Sequence, residues 1–138
     1  MSIITVERKV LEKNDEIAAI LKTQFADQKT VALNLVSSPG SGKTTLLEQT
    51  LQALQGQIRM AVVEGDVQTD NDAKRIARHH VPVAQIVTNG ACHLDALLVR
   101  DAVARIDLTA FQLLFIENVG NLVCPASYDL GEQHKIVM

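Results

Sequence analysis

Residues 31–45 read Val31-Ala32-Leu33-Asn34-Leu35-Val36-Ser37-Ser38-Pro39-Gly40-Ser41-Gly42-Lys43-Thr44-Thr45. The nearly continuous apolar run Val31–Val36 predicts a buried strand. A loop with two glycines follows, and then a helical stretch, Thr45–Leu54, stopped near Gly56. Binding a phosphate requires several backbone N–H groups to converge on one anion, and glycine lets the chain wrap that closely. Pro39, Gly40, Ser41 and Gly42 would form this cradle, with Thr45 closing the phosphate-binding stretch. Lys43 would place a cation on the β- and γ-phosphates, and Thr44 would offer a hydroxyl to Mg2+. The helix that follows aims its N-terminus at the phosphates. The strict pattern opens on glycine where this chain has Ser37, the position farthest from the Lys-Thr pair. Without its flanks the segment would be an ordinary Gly/Ser turn; the strand before it and the helix after it favour a nucleotide-binding P-loop.

Working outward, Val6, Val10, Ile17 and Leu21 recur near helical spacing, and Ile20 and Phe25 widen the stripe. They predict an amphipathic helix over about residues 6–25, interrupted near Asn14-Asp15, that covers a sheet face. Downstream, strands at Ile58–Val63, Val83–Val87 and Phe111–Ile116 alternate with helices at Asp70–His79 and Leu94–Ile106. Such alternation implies right-handed crossovers and a parallel sheet. The expected fold is a single α/β P-loop NTPase domain over residues 1–138, a mostly parallel sheet flanked by helices. Ile136-Val137-Met138 looks like the start of another strand that stops without a turn or cap. The reading is therefore of a chain truncated at its C-terminal end, with further strands missing and a sheet edge left open.

The composition agrees with one modest domain: 138 residues, 47% hydrophobic, with 3% aromatic residues and no Trp, so the core must be aliphatic. A formal net charge of −3 argues against a nucleic-acid partner. No run approaches a membrane span, and Met1–Lys9 lacks the apolar core of a signal peptide. Two cysteines make no disulfide framework, and the expected compartment is the cytoplasm.

Glu64, Asp66, Asp70 and Asp72 gather after the second strand. Phosphoryl transfer depends on positioning and charge neutralisation, so Lys43, Asp66 and Asp70 form the candidate catalytic set. Asp66 is the first choice to hold a Mg2+-bound water or orient the attacking one. Asp70 and Asp72 read equally well as acids capping the next helix. Glu117 ends the fourth strand and would anchor Mg2+ together with Thr44 and Asp66; the alternative is a solvated loop carboxylate. Gly120 lies where a loop must approach the γ-phosphate.

Cys92-His93 follows the Asn89-Gly90 turn, at the expected start of a helix whose N-terminus would favour the thiolate. Cys124-Pro125 follows the fourth strand, and in a parallel sheet both loops open at the same edge. Thiolate plus imidazole suits Ni2+ or Zn2+. Two Cys and one His fall short of a closed four-coordinate site, which a two-fold axis would double. The alternative is two packed thiols and a surface histidine.

These motifs resemble the hydrogenase nickel-incorporation GTPases of the HypB family. The resemblance runs through nearly the whole chain: Asn34 to Thr45, Glu64-Gly65-Asp66, Thr69-Asp70, Cys92-His93-Leu94, and Glu117-Asn118-Val119-Gly120-Asn121-Leu122-Val123-Cys124-Pro125. It implies GTP and GDP as ligands and nickel delivery during [NiFe] hydrogenase maturation. It also implies a nucleotide-linked homodimer, and the hydrogenase large subunit and other maturation proteins as partners. A Ni2+ or Zn2+ site on Cys92, His93 and Cys124 at the dimer interface is implied as well. Ser37 fits the family's own loop. The cysteine-rich or His-rich N-terminal tracts of some members have no match here, and neither does the guanine-reading Asn-Lys-x-Asp. Guanine preference is thus implied by the resemblance alone. Two alternatives stand beside this reading. One is a truncated, non-catalytic metal-binding or dimerisation fragment. The other is a urease-type nickel GTPase, whose motif places Pro between the Cys and His that are adjacent here.

Overall fold

The structure, a computed structural model, describes residues 5–66 and 71–138. It follows the order α1 (Val6–Asp27), β1 (Val31–Val36), α2 (Lys43–Leu54), β2 (Met60–Asp66), α3 (Asn71–Ala77), β3 (Val83–Val87), α4 (Ala96–Val103), β4 (Leu113–Glu117) and β5 (His134–Val137). Single 3-10 turns lie at Leu108–Ala110 and Cys124–Ser127. The five strands are parallel, in the order β3-β2-β4-β1-β5. The expected α/β architecture is what forms.

Strands β1 to β4 are largely apolar because helices cover both sheet faces. One face carries α1 and α4: Leu21, Phe25 and Val99 pack with Ala61, Val63, Leu114 and Ile116. The other carries α2 and α3: Leu47, Leu51 and Ile76 pack on Leu35, Met60, Val62 and Phe115. Successive strand residues point to opposite faces, so Ile116 belongs to the first layer and Phe115 to the second.

Helix α1 runs unbroken for 22 residues, capped by the Thr5 hydroxyl, which accepts from the Arg8 N–H at 3.1 Å. Asn14, where an interruption was expected, is buried instead. Its amide donates to the Asp129 carbonyl at 2.8 Å, and its carbonyl oxygen accepts from the Ala96 N–H at 2.7 Å. The covering face is Ile17, Ala18, Leu21 and Phe25; Val6, Val10 and Ile20 stay exposed. Gly131, at φ 81°, lets the chain pass against α1, where a Cβ would lie 2.7 Å from the Leu21 Cβ.

Ile136-Val137 does form a strand, β5, paired to β1 with all four side chains exposed. The helix expected over Leu94–Ile106 is shorter. Asp95 caps it, accepting from the Leu98 N–H at 2.8 Å, so Leu94 lies before the helix rather than in it. Among the described residues, no helix is long and apolar enough to cross a membrane.

Candidate functional site

The loop between β1 and α2 curls around the mouth of a cavity of about 500 Å3. Its wall includes every residue from Pro39 to Thr45, together with Asp66, Asp72, Arg75 and Gly120. Gly40 and Gly42 adopt φ of 72° and 90°, the left-handed region that side chains disfavour. Ser37 is buried and outside that region, so the missing glycine is not needed there. Gly120 brings the loop after β4 against this turn: a Cβ on it would lie 3.1 Å from the Pro39 Cα. The expected close approach of residue 120 is therefore made to the loop itself.

Behind the Lys43 and Thr44 wall of the cavity lie buried acids. Glu64 and Glu117 are opposite one another in the β2–β4 register, and both are buried. The Thr44 hydroxyl donates to Glu117 Oε1, and Lys43 Nζ lies 3.7 Å from the same oxygen. Glu117 is thus no solvated loop acid. Its Oε2 and both oxygens of Glu64 have no hydrogen-bond partner. Burial first, and the neighbouring Glu117 second, push the Glu64 carboxyl up to about 11. Asp72, in the first turn of α3, brings a third carboxylate, so that one oxygen from each of Glu64, Asp72 and Glu117 lies within 4.8 Å of the others. Burial and then Glu117 raise the Asp72 carboxyl as well. Of the expected Mg2+ set, Thr44 and Glu117 touch, and Asp66 lines the same cavity. Asp70 and Thr69 lie outside the described residues.

Sequence reasoning left Glu64 and Arg75 without assigned roles and read Asp72 as one of the gathered acids or as a helix cap. Arg75 reaches the cavity from α3, its guanidinium 2.8 Å from Glu48 and 3.8 Å from Asp72. A signal was available for Glu64. It is a lone acid in a strand otherwise apolar up to Gly65, on the same face as Met60 and Val62.

Cys92, His93 and Cys124 also come together, each offering a ligand atom within 4.8 Å of the others. The two cysteines, 32 residues apart in sequence, are joined as a disulfide, with Cα atoms 6.1 Å apart. This corrects the expectation of two metal ligands or two packed thiols. The bond arises because the loops after β3 and β4 open at the same edge. A metal would need the same pair reduced. The helix-start argument for Cys92 does not hold, since Cys92 and His93 precede the cap of α4 in a bend. Ring stacking on Tyr128, with centroids 4.0 Å apart, fixes the imidazole instead. Asn121 shapes the second loop, its carbonyl oxygen accepting from the N–H groups of Val123 and Cys124 at 2.7 and 3.0 Å.

Asn118 stands between the two sites. It follows Glu117 directly and is fully buried. Its carbonyl oxygen accepts from the Leu94 N–H, next to His93, at 3.2 Å. Its amide donates to Asn34 on β1 at 3.1 Å. Nearby, Gly65 of β2 faces the Leu94 side chain so closely that a Cβ would meet it at 2.8 Å.

The profile of the family described as CobW/HypB/UreG, nucleotide-binding domain, matches residues 31–136. This chain belongs to that family. HypB relatives match across its whole length. The hydrogenase maturation factor HypB of Escherichia coli (strain K12) is 53% identical over 135 residues, covering 98% of this chain and 47% of that protein. The hydrogenase/urease maturation factor HypB of Helicobacter hepaticus is 45% identical over 139 residues, covering 98% of this chain and 57% of that protein. The chain spans about half the length of the curated relatives it matches. Among solved structures, HypB from Helicobacter pylori in complex with nickel superposes with a TM-score of 0.85 at 44% identity, over 91% of this chain and 59% of that one. HypB from Archaeoglobus fulgidus gives a TM-score of 0.83 at 35% identity, over 92% and 62%. The HypB resemblance and the P-loop fold read from the sequence therefore stand.

Proposed function

We propose that this chain carries the GTP-binding and GTP-hydrolysing core of a nickel metallochaperone that serves [NiFe] hydrogenase maturation. The observation that carries this is the position of Asn118, which joins the residue after the buried Glu117 to the backbone beside His93. A nucleotide pocket and a Cys/His cluster that share one strand end can respond to one another.

In this reading the cradle from Pro39 to Thr45 and the Lys43 ammonium hold the phosphates. Thr44 and Glu117, with Asp66, hold Mg2+; the unpartnered Glu117 Oε2 beside the Thr44 hydroxyl fits such an ion. When bound, Mg2+ supplies charge neutralisation at the β- and γ-phosphate oxygens. Asp66 orients the attacking water, with Asp70 as its expected neighbour, and Gly120 lets the loop after β4 follow the γ-phosphate. Reduced Cys92 and Cys124 with His93 take Ni2+ as cargo, or Zn2+ in its place. A second copy completes the coordination across a two-fold axis in a nucleotide-linked homodimer. The hydrogenase large subunit and other maturation proteins are the partners, and the work is cytoplasmic. The nickel in the Helicobacter pylori HypB complex supports the cargo.

The test is calorimetry on the reduced chain, first with GTP-Mg2+ and ATP-Mg2+, then with Ni2+ in the presence of GDP or a non-hydrolysable GTP analogue. Selective GTP binding and a nickel affinity that differs between the two nucleotide states are expected. Equal nickel affinity in both states would sink the coupling. A second reading, metal binding without turnover, draws on the Cys92, His93 and Cys124 cluster alone. It predicts nickel binding with indiscriminate nucleotide affinity. The urease-type reading gains from the Helicobacter relatives named hydrogenase/urease maturation factors. The adjacency of Cys92 and His93 counts against the urease-type motif itself.

A further inference from the structure

The acids behind the nucleotide cavity offer more carboxyl oxygens than a P-loop requires. Such sites usually hold Mg2+ through a hydroxyl, one or two carboxylates and the phosphates themselves, with water filling the remaining positions. Here three carboxylates converge: Glu64, Glu117 and Asp72. Glu64 is only 1% exposed, and neither of its oxygens meets a donor. Glu117 is equally buried and has one oxygen free of any partner. Lys43 lies 3.7 Å from Glu117, on the oxygen that already accepts from Thr44. A buried carboxylate without a hydrogen bond is expensive, and two of them side by side are more so. The oxygens left over are hard donors, the kind that Mg2+ and Mn2+ prefer over thiolate or imidazole. Strand register alone sets Glu64 against Glu117, so the arrangement is built into the sheet and owes nothing to a mobile loop.

We propose that Glu64 completes a three-carboxylate cation site with Glu117 and Asp72, so that a hard divalent cation is seated before any nucleotide arrives. Nucleotide phosphates then approach a site already carrying its metal. The inference rests on the proposed function only in placing that cation beside phosphates. Glu64 acts as a ligand of the cation, and nothing in the proposal requires it to touch substrate.

The test uses the whole 138-residue chain without nucleotide, titrated with Mn2+ and followed by electron paramagnetic resonance. One bound Mn2+ per chain, displaced by Mg2+, is expected. Glu64→Gln, which keeps the shape but replaces an ionisable oxygen donor by an amide, should weaken that binding at least tenfold. Asp72→Asn, at a partly exposed position where folding is not at stake, should weaken it severalfold. The proposal is overturned if no Mn2+ binds without nucleotide, or if both variants bind it as the parent chain does. Binding of Mn2+ by a chain that then fails to bind GTP would count against the proposed function and still support this site.

Discussion

Asn14 shows how one side chain can hold two distant segments. From the middle of α1 it closes hydrogen bonds to the Asp129 carbonyl and the Ala96 N–H. Asn14→Leu would keep the bulk but leave both backbone groups unpaired, which costs about 1–3 kcal/mol for each group that water cannot reach. A fall in the urea midpoint without a change in slope is the expected readout. Glu64 yields a pH prediction for the metal-free chain. The folded protein keeps this proton up to about pH 11, whereas the unfolded chain releases it near 4.5. Its contribution to stability is therefore complete below pH 4.5 and drains away as pH rises toward 11, by at most about 1.4 kcal/mol per pH unit. Urea midpoints from pH 5 to 9 should fall in the parent chain and flatten in Glu64→Gln. Parallel profiles would mean that Glu64 is ionised without cost.

At the scale of elements, the loop after β4 is the crowded place. Gly120 passes the phosphate loop so closely that a methyl group would press on backbone at 3.1 Å and need it to give by a few tenths of an ångström. Gly120→Ala should displace the turn around Pro39 and weaken GTP binding roughly tenfold while leaving the fold intact; calorimetry and circular dichroism check the two halves. Asn118→Ala removes the acceptor for the Leu94 N–H and should uncouple nickel affinity from nucleotide state; unchanged coupling would show that the link runs elsewhere. The elements themselves were largely legible. Val31–Val36 and Val83–Val87 formed at their expected limits, since continuous β-branched and leucine runs bounded by turn residues leave little choice. The start of α4 was not legible, because Cys92-His93-Leu94 carries no helix breaker. Tertiary bonds to Leu94, with the cap at Asp95, set that boundary. Convergence of Glu64 and Asp72 with Glu117 was equally hidden, because it depends on a strand register that no local pattern encodes.

The whole molecule is a sheet between two apolar layers, and those layers do not share side chains. Leu21 lies in one and Leu51 in the other, each essentially inaccessible to water. Leu21→Ala and Leu51→Ala should each cost about 2–5 kcal/mol. Their effects should add to within about 0.5 kcal/mol in the double variant. A larger discrepancy in denaturant unfolding would mean that the sheet transmits strain between its faces. The nucleotide cavity and the Cys/His cluster were both foreseen from motifs, whose residue types and spacings state their chemistry. The bond between Cys92 and Cys124 was not: the shared sheet edge was legible, but the residue types do not separate a disulfide from two thiolate ligands.

Where β4 ends, adjacent residues serve opposite faces: Glu117 faces the phosphate side and Asn118 the side of the Cys/His cluster. The two sites are therefore tied by parity. Adding or deleting a single residue here would exchange the pair, turning a carboxamide toward Thr44 and Lys43 and a carboxylate into the layer beneath Leu94. A change of two residues would restore both. Any lengthening or shortening of this strand that spares function should thus come in even steps, a rule that the alternation of the sheet imposes whatever metal or nucleotide is bound.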